Sequence, residues 1–472
     1  MNNASDSPTL GRSGLLVLLA GQLLPMIDFS IVNVALDAMS TTLHASPIQL
    51  ELIVAVYGIA FAVSLAMGGR MGDNYGRRRV FTLGVVVFGI ASLLCGLADS
   101  VWLLLVARAL QGIGAAMVVP QILATLHVCL HGRAHARAIG LYGGIGGLAF
   151  IIGQVLGGFL IAANLGGYGW RSVFLINIPL CVLIVLFAAK SIPETKKSQK
   201  VSIDLAGTVL LASAIGCLLL ALALGPLLHW SWPCILLLAA FPVLLHRLWR
   251  VEVMLEQQQG HPLLPPSLMR LNSVRFGLSI AVLFFSCWSG FMFAVALTLQ
   301  SGLGMTPFQS GNTFIALGVA YFIGSLCTTR IAEKLSRIAM LLTGCGIQMA
   351  GLLALMATFK TGWPDVGIYA LIPATALIGF GQSFIVSCFY RIGLSDVPKD
   401  HAGAGSAMLS TVQQAAFGLG PMLLGTVYSQ VLQQHGSYQQ AVLLTLAAEW
   451  IVMLVLVIRA VATRRSLQVQ PG

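Results

Sequence analysis

Four ionisable side chains lie in stretches otherwise made of apolar residues. They are Asp28 in LLPMIDFSIVNVAL, Glu51 in QLELIVAV, Arg108 in LLLVARALQGIGAAMVVP and Glu449 in LLTLAAEWIVMLVL. A charge at the centre of a bilayer costs at least about 2.5–3.5 kcal/mol, so such residues face a partner or a wet cavity. Taking a carboxyl out of water favours its neutral form, and Asp28 could therefore collect a proton on one side and release it on the other. It could equally be a structural acid paired with Arg108. Arg108 cannot give up its proton. It is a fixed positive charge that can bias a carboxyl or hold a polar network with Gln111, and the two roles overlap. Glu51 is near the outer end of its apolar run, where it would snorkel to water. Glu449 is deeper, but its run is the last and is expected to pack on the outside. Asp28 therefore leads as a proton-handling acid, followed by Glu51 and Glu449.

A second constellation is the run GGRMGDNYGRRRV, residues 68–80. It is short, basic and broken by glycine, and its one acid, Asp73, stands where helices must slide past one another. Gly69, Asp73, Gly76 and Arg77 are its gating candidates. This pattern points to a transporter that changes shape. His127, His131 and His135 are spaced by four, and on one continuous helix they would face the same way. Carboxyl and thiol partners for zinc are missing, so a metal site is not expected. Nine cysteines without paired spacing read as small buried hydrophobes. No GxxxxGK[ST] loop for nucleotide occurs. No cofactor and no enzyme chemistry are expected, and the energy source would be a proton gradient.

The elements that must hold these residues are membrane helices. Hydrophobic residues make up 57% of the chain and charged ones 9%, against about 25% charged in soluble domains. Mean hydropathy is +0.90. The apolar blocks are about 20 residues long, the length of a spanning helix, and barrel strands are far shorter. Spans are expected at 13–36, 47–69, 79–98, 101–126, 137–162, 171–190, 203–224, 232–249, 275–300, 308–330, 337–359, 366–391, 402–431 and 439–461. The first is too long for a signal peptide's apolar core. The net charge of +11 is not a nucleic-acid signature, because the arginines and lysines fall in alternate connections. Arg70, Arg77, Arg78, Arg79, Arg133, Arg137 and Lys190 open that series, while the opposite connections hold little beyond Arg171 and Lys360. This bias assigns the basic connections and both termini to the cytoplasm, where anionic lipid attracts them.

The domain plan is a cytoplasmic tail (1–12), a first bundle of six helices (13–190) and an inserted helix pair with flanking loops (191–274, the pair being 203–224 and 232–249). A second six-helix bundle (275–461) and a cytoplasmic tail (462–472) follow. The prolines of HPLLPPSLMR forbid a continuous helix before the second bundle. A weak echo of the basic loop, residues 324–337, supports two related halves. Glycines at helix-packing spacing include Gly112 in the fourth span and Gly153 and Gly157 in the fifth. Pro421 invites a kink in the thirteenth.

These motifs resemble the major facilitator superfamily. GGRMGDNYGRRRV is similar to its loop between the second and third spans, and VARALQGIGAA to its fourth-span motif. MIDFSIVNVAL is similar to the first-span motif of its fourteen-span drug:proton antiporter branch, which HPLLPPSLMR and DVPKDHAGAGSAMLSTVQQ also resemble. The resemblance covers almost the whole chain. It implies an all-α integral membrane protein of two six-helix bundles plus two inserted central helices. It further implies that Asp73 and Arg77 latch a cytoplasmic gate against the start of a late helix near Ala402. Asp28 would be a protonation or substrate-charge site, with Arg108 its partner in coupling. One departure stands out: Gly153-Gln154 replaces the Gly-Pro of the fifth-span antiporter motif.

The expected function is proton-driven export of amphipathic drugs or antibiotics across the bacterial cytoplasmic membrane. A midplane cavity would be lined by apolar and aromatic groups with Asn33, Gln111, Gln154 and Gln382 as polar anchors. The expected partners are a small amphipathic substrate, protons and membrane lipids, with the protein working as a monomer, with or without periplasmic adaptor and outer-membrane partners. A dedicated exporter of one metabolite or self-made antibiotic, a substrate:proton symporter and a non-transporting receptor are the alternatives.

Overall fold

The structure is a computed structural model and describes residues 10–196, 204–228, 230–258, 260–331, 335–398 and 401–467. The described residues form long helices joined by short connections. In chain order they are α1 (Arg12–Leu43), α2 (Pro47–Tyr75), α3 (Arg77–Gly96), α4 (Val101–Cys129) and α5 (Gly132–Ala163). Next come α6 (Gly169–Ser191), α7 (Leu205–Leu227) and α8 (Trp232–Gln257). The last six are α9 (Asn272–Gly302), α10 (Pro307–Ile331), α11 (Arg337–Gly362), α12 (Ile368–Gly393), α13 (Ala402–His435) and α14 (Tyr438–Leu467). Among the described residues, 13 helices are long and apolar enough to cross a membrane. The remaining one, α5, is 32 residues long, and its described apolar part is Ile152–Ala163. This is the expected series of spans. An even number of crossings puts both chain ends at one face, called here the terminal face, and the α1–α2 connection at the far face.

Helix ends lie beyond the expected spans because hydropathy locates the hydrocarbon, whereas capping locates the end of a helix. α1 continues to Leu43 and stops where His44 takes a left-handed conformation, φ 50°. Ser46 then opens α2: its hydroxyl accepts from the Gln49 amide, the Gln49 side chain accepts from the Ser46 amide at 2.8 Å, and Pro47 occupies the first turn. The hydroxyls of Ser100 and Ser336 likewise accept from amides in the first turns of α4 and α11. The prolines after Gly260 break the chain as expected, leaving a single turn at Pro266–Met269 before α9. α9 itself is not a regular α-helix, since Ala281–Phe285 and Thr298–Gly302 are π-helical turns.

The first six helices pack together and so do the last six. The halves meet along two seams, α2 on α13 and α5 on α10, with α1 against α9 between them. Glycine makes these approaches close enough for backbone contact. A Cβ on Gly58 would stand 2.7 Å from the Gly418 Cα, and one on Gly311 would stand 2.5 Å from the Gln154 carbonyl oxygen. The packing glycines expected from sequence sit inside the first half. Gly112 lies on Tyr57 and Phe61 of α2, while Gly153 and Gly157 lie on Ile27 and Ile31 of α1. α13 passes through Pro421 as one helix.

The inserted pair α7–α8 lies along the α2–α13 seam. Leu211, Ile215 and Leu219 of α7 and Leu248 of α8 pack with Ile59 and Val63 of α2 and Met422 of α13. At the terminal face three acids strap the connection that follows α8. Asp204 accepts from the Gly207 and Leu263 amides at 2.7 and 3.2 Å, Glu252 accepts from the Leu264 amide at 3.1 Å, and Glu256 accepts from Ser267. Arg70 donates to the Pro262 carbonyl at 2.9 Å, tying the strap to the end of α2.

Candidate functional site

Asp28 is carried by α1 three residues after Pro25, whose carbonyl accepts from the Tyr57 hydroxyl at 3.0 Å. The Asp28 and Arg108 side chains are 0% exposed and form an ion pair through Oδ2 and Nη1. The other carboxylate oxygen, Oδ1, accepts from Gln111 Nε2 at 2.7 Å and from Asn177 Nδ2 at 3.0 Å. Gln111 and Asn177 also donate to Ser92 Oγ, at 2.8 and 3.3 Å. Arg108 is held on its own account: Nη1 donates to Gln111 Oε1 at 2.8 Å and Nε to the Ile53 carbonyl at 3.1 Å. Its guanidinium carbon sits 4.3 Å from the Tyr57 ring centre. α4 and α6 thus bond the carboxylate of α1 directly, while α2 and α3 hold the groups around it.

Chemically, this is a charge pair out of water whose anion accepts several bonds. Such a pair is stable only while both charges are present, because removing one leaves the other uncompensated. Arg108 Nη2 has no hydrogen-bond partner, so the guanidinium has spare donor capacity. Gln111, a candidate both for anchoring substrate and for a network with Arg108, is buried in that network. Sequence reading misses Asn177, Ser92 and Tyr57. A mid-span Asn followed by Ile-Pro is the one readable signal, and a serine or tyrosine in an apolar run is too common to single out.

The two other acids need correction. Glu51 does not snorkel; it is 1% exposed. Its Oε1 accepts from Ser429 Oγ at 2.9 Å and its Oε2 lies 3.5 Å from Thr426 Oγ, both on α13 of the other half. The burial has a steric cause: α13 presents Gly425, where a Cβ would come within 2.9 Å of the Glu51 carboxyl carbon. Glu449 is likewise 1% exposed. α14 does turn Leu444, Ile451 and Ile458 outward, but it points Glu449 inward, where Gln348 Nε2 lies 3.4 Å from its Oε1.

The remaining cavity candidates are all buried with polar capacity left over. Gln154 Nε2 donates across to the Ser30 carbonyl at 3.0 Å and lies 3.9 Å from Met292 Sδ of the second half, while its Oε1 has no partner. Asn33 Nδ2 donates to the Phe29 carbonyl at 3.1 Å, leaving Oδ1 unused. Neither side-chain polar atom of Gln382 has a partner. Between the halves lies an aromatic cluster that sequence reading does not name. Phe417 of α13 is 5.0 Å from Phe29, 5.1 Å from Phe285 and 5.9 Å from Trp288, centre to centre. Phe285 is brought there by the first π-turn of α9, a distortion with no sequence signal.

In the basic loop, Gly76 takes φ 109°, a conformation reserved for glycine, and so lets α3 start two residues after Asp73-Asn74-Tyr75 closes α2. Asp73 pairs with Arg77 at 2.8 Å. The loop is also bound by residues after α6: the Arg77 amide donates to the Thr195 carbonyl at 2.9 Å, and the Arg78 amide to Glu194 Oε1 at 3.1 Å. Gly69 lies 3.6 Å, as a virtual Cβ, from Pro120 of α4. The Ala402 side chain, expected as the partner of the latch, lies outside the described residues. The three histidines are not on one helix, since α4 ends at Cys129 and α5 begins at Gly132. His127 and His135 meet at 3.3 Å, and no group of three or more metal-ligating side chains occurs among the described residues.

Residues 18–421 match the family described as the Major Facilitator Superfamily. The chain belongs to this superfamily. Its fold agrees with that of a solved structure, a POT family transporter in complex with 5-aminolevulinic acid. That structure superposes with a TM-score of 0.67 at 12% identity, covering 96% of this chain and 98% of the other. Among curated relatives, the probable actinorhodin transporter of Streptomyces coelicolor is 34% identical over 91% of this chain and 75% of its own length. A puromycin resistance protein of Streptomyces alboniger is 30% identical over 90% and 84%. The multidrug resistance protein Stp of Mycobacterium tuberculosis is 28% identical over 90% and 79%. Like the superfamily at large, this is a multi-pass membrane transporter.

Proposed function

We propose that this protein exports amphipathic drugs or antibiotics from the cytoplasm or inner leaflet in exchange for protons. It does so by alternating access, in the bacterial cytoplasmic membrane with both termini cytoplasmic. The observation that carries the reading is the fully buried Asp28–Arg108 pair inside the Gln111, Asn177 and Ser92 net. The bonds to Asp28 are strengthened by its negative charge, and a proton on the carboxyl cancels the ion pair, occupies one acceptor oxygen and so frees donors for rearrangement. Arg108 stays charged throughout, so proton arrival changes the net charge of the core. That change is the coupling event. The orientation rests on the basic connections of the terminal face.

The substrate class rests on two features. The aromatic cluster around Phe417 offers flat apolar contact between the halves, and Gln382, Asn33 and Gln154 hold unused polar atoms. Few polar anchors in an apolar site suit varied amphipathic ligands. The names of the relatives, drug and antibiotic exporters or resistance proteins, point the same way. They also favour a second reading, a dedicated exporter of one antibiotic. A tetracenomycin C resistance and export protein is 28% identical over 90% of this chain, beside the actinorhodin relative.

The test is reconstituted protein in vesicles with an imposed pH difference, loaded in turn with chemically diverse toxicants. Export of several compounds, abolished by an uncoupler, supports the multidrug reading, and movement of one alone supports the dedicated one. No movement of any solute under the gradient sinks the proton-coupled account.

A further inference from the structure

We propose that Glu51 is the proton-operated closure of the far-face seam: it carries a proton while α2 and α13 are shut and loses it when they part. The proposal rests on the alternating-access reading for its place in the cycle, and on geometry for the rest.

Glu51 stands on the second turn of α2, and its two hydrogen-bond contacts are with the other half of the molecule, Ser429 and Thr426 of α13. Any motion that opens the far face between these helices must break both. The hydroxyl protons show what the carboxyl must supply. Ser429 Oγ donates to Glu51 Oε1. Thr426 Oγ donates its one proton to the Met422 carbonyl a turn earlier, so it can face Glu51 Oε2 only as an acceptor. The contact is a hydrogen bond only if Oε2 carries the proton.

Charge around the site agrees. Toward the far face, the helices packed on α2 bring Asp28 and Asp37 on α1, Cys95 on α3, Arg108 on α4, Cys217 on α7, and Tyr428 and His435 on α13, while Arg12 of α1, Arg77, Arg78 and Arg79 of α3 and His127 and Cys129 of α4 stand toward the terminal face. Among the described residues none of these pairs with Glu51. The one cation among them in the core, Arg108, is committed to Asp28 and to the Ile53 carbonyl. A carboxylate shut in with two hydroxyls and no cation would carry a large desolvation cost, which a proton removes. Opening the seam reverses this by bringing water to the acid.

Inter-half hydrogen bonds at the far face join Glu51 to Ser429 and Thr426, and Ser301 to Asp37 at the far ends of α9 and α1, with the Gln154–Met292 contact deeper in. In an exporter, the far-face opening that releases substrate would leave Glu51 ionised and wet. A proton taken from that side then allows the seam to close again. Glu51 is thus a positioning residue for the cycle, distinct from the buried pair at Asp28.

The test is hydrogen exchange of residues 47–57 and 422–435 in lipid nanodiscs at about pH 6 and about pH 8, corrected for the intrinsic pH dependence of exchange. Wild type should exchange several-fold faster in both segments at the higher pH. Glu51→Gln, a fixed neutral mimic, should stay at the slow rate at both, and Glu51→Asp should keep the response. Ser429→Ala, with Glu51 untouched, should exchange faster at both and serves if Glu51→Gln fails to insert. A Glu51→Gln protein that responds to pH like wild type, or a wild type that does not respond at all, overturns the proposal. Vesicle transport separates this from the parent reading. A Glu51-dependent exchange response without gradient-driven transport defeats antiport and keeps the closure. Gradient-driven transport with no such response does the reverse.

Discussion

Replacing Asp28 by Asn tests the buried pair most directly. The substitution keeps size and one carbonyl-type acceptor, so the new amide can still receive a bond from Arg108 or from Gln111, but the negative charge is gone. What remains is a guanidinium with 0% exposure, held by neutral acceptors at Gln111 and Ile53 and by the Tyr57 ring. Removing one member of a buried pair costs about 3–5 kcal/mol. The surviving acceptors put Asp28→Asn near the lower end, about 3 kcal/mol, and Asp28→Ala near the upper end. Removing the orphaned cation as well should recover most of the loss, so Asp28→Asn with Arg108→Gln should be more stable than Asp28→Asn alone. Unfolding in mixed micelles across this double-mutant cycle gives the coupling energy, and proton-driven efflux from vesicles gives the function. Efflux should be abolished in both single variants and in the double variant, while the double variant regains stability. If Asp28→Asn costs under about 1 kcal/mol, or the double variant is no better than the single, the charges are not the partners described. Normal efflux by Asp28→Asn removes Asp28 from the mechanism.

Asp73→Ala deprives Arg77 of its 2.8 Å partner and should slow turnover several-fold with little change in substrate affinity; unchanged transport kinetics would count against the gating role. Gly418→Val places a side chain within 2.8 Å of the Ala55 carbonyl across the α2–α13 seam. It should hold the halves apart and stop transport in protein that is still inserted, as read by efflux against surface expression. Glu252→Gln removes a charged acceptor from the strap at Leu264 and should lower stability by about 1–3 kcal/mol, with protease cutting faster in residues 258–271. Cutting at the wild-type rate would show that the strap is held by something else.

Spans, their order and the inserted pair are legible because hydrocarbon thickness imposes a length on apolar runs, and that length survives in any single sequence. The Asp28–Arg108 relation is legible too, since an acid and a base buried in spans have few other partners. The fate of Glu51 is not. Distance from the end of an apolar run says how deep a residue is, but the glycine that receives its carboxyl, Gly425, is more than three hundred positions away in the chain. The aromatic cluster escapes for a related reason: Phe285 reaches Phe417 through a π-turn, and such turns carry no composition of their own. The regular spacing of the three histidines gives no common face, because a helix break at Leu130 and His131 separates α4 from α5.

The placement of α7 and α8 makes the two flanks of the protein unequal toward the bilayer. Along one flank, leucines and isoleucines of the pair wall off the line where the halves touch. Along the other, α5 and α10 meet with no further helix laid over them among the described residues. If the halves part along a flank in the cycle proposed above, a greasy solute diffusing sideways in the inner leaflet would meet bare seam on one side only, and the pair would set its handedness. Moving cargo out of lipid would then be a one-sided affair in a molecule built of two six-helix halves.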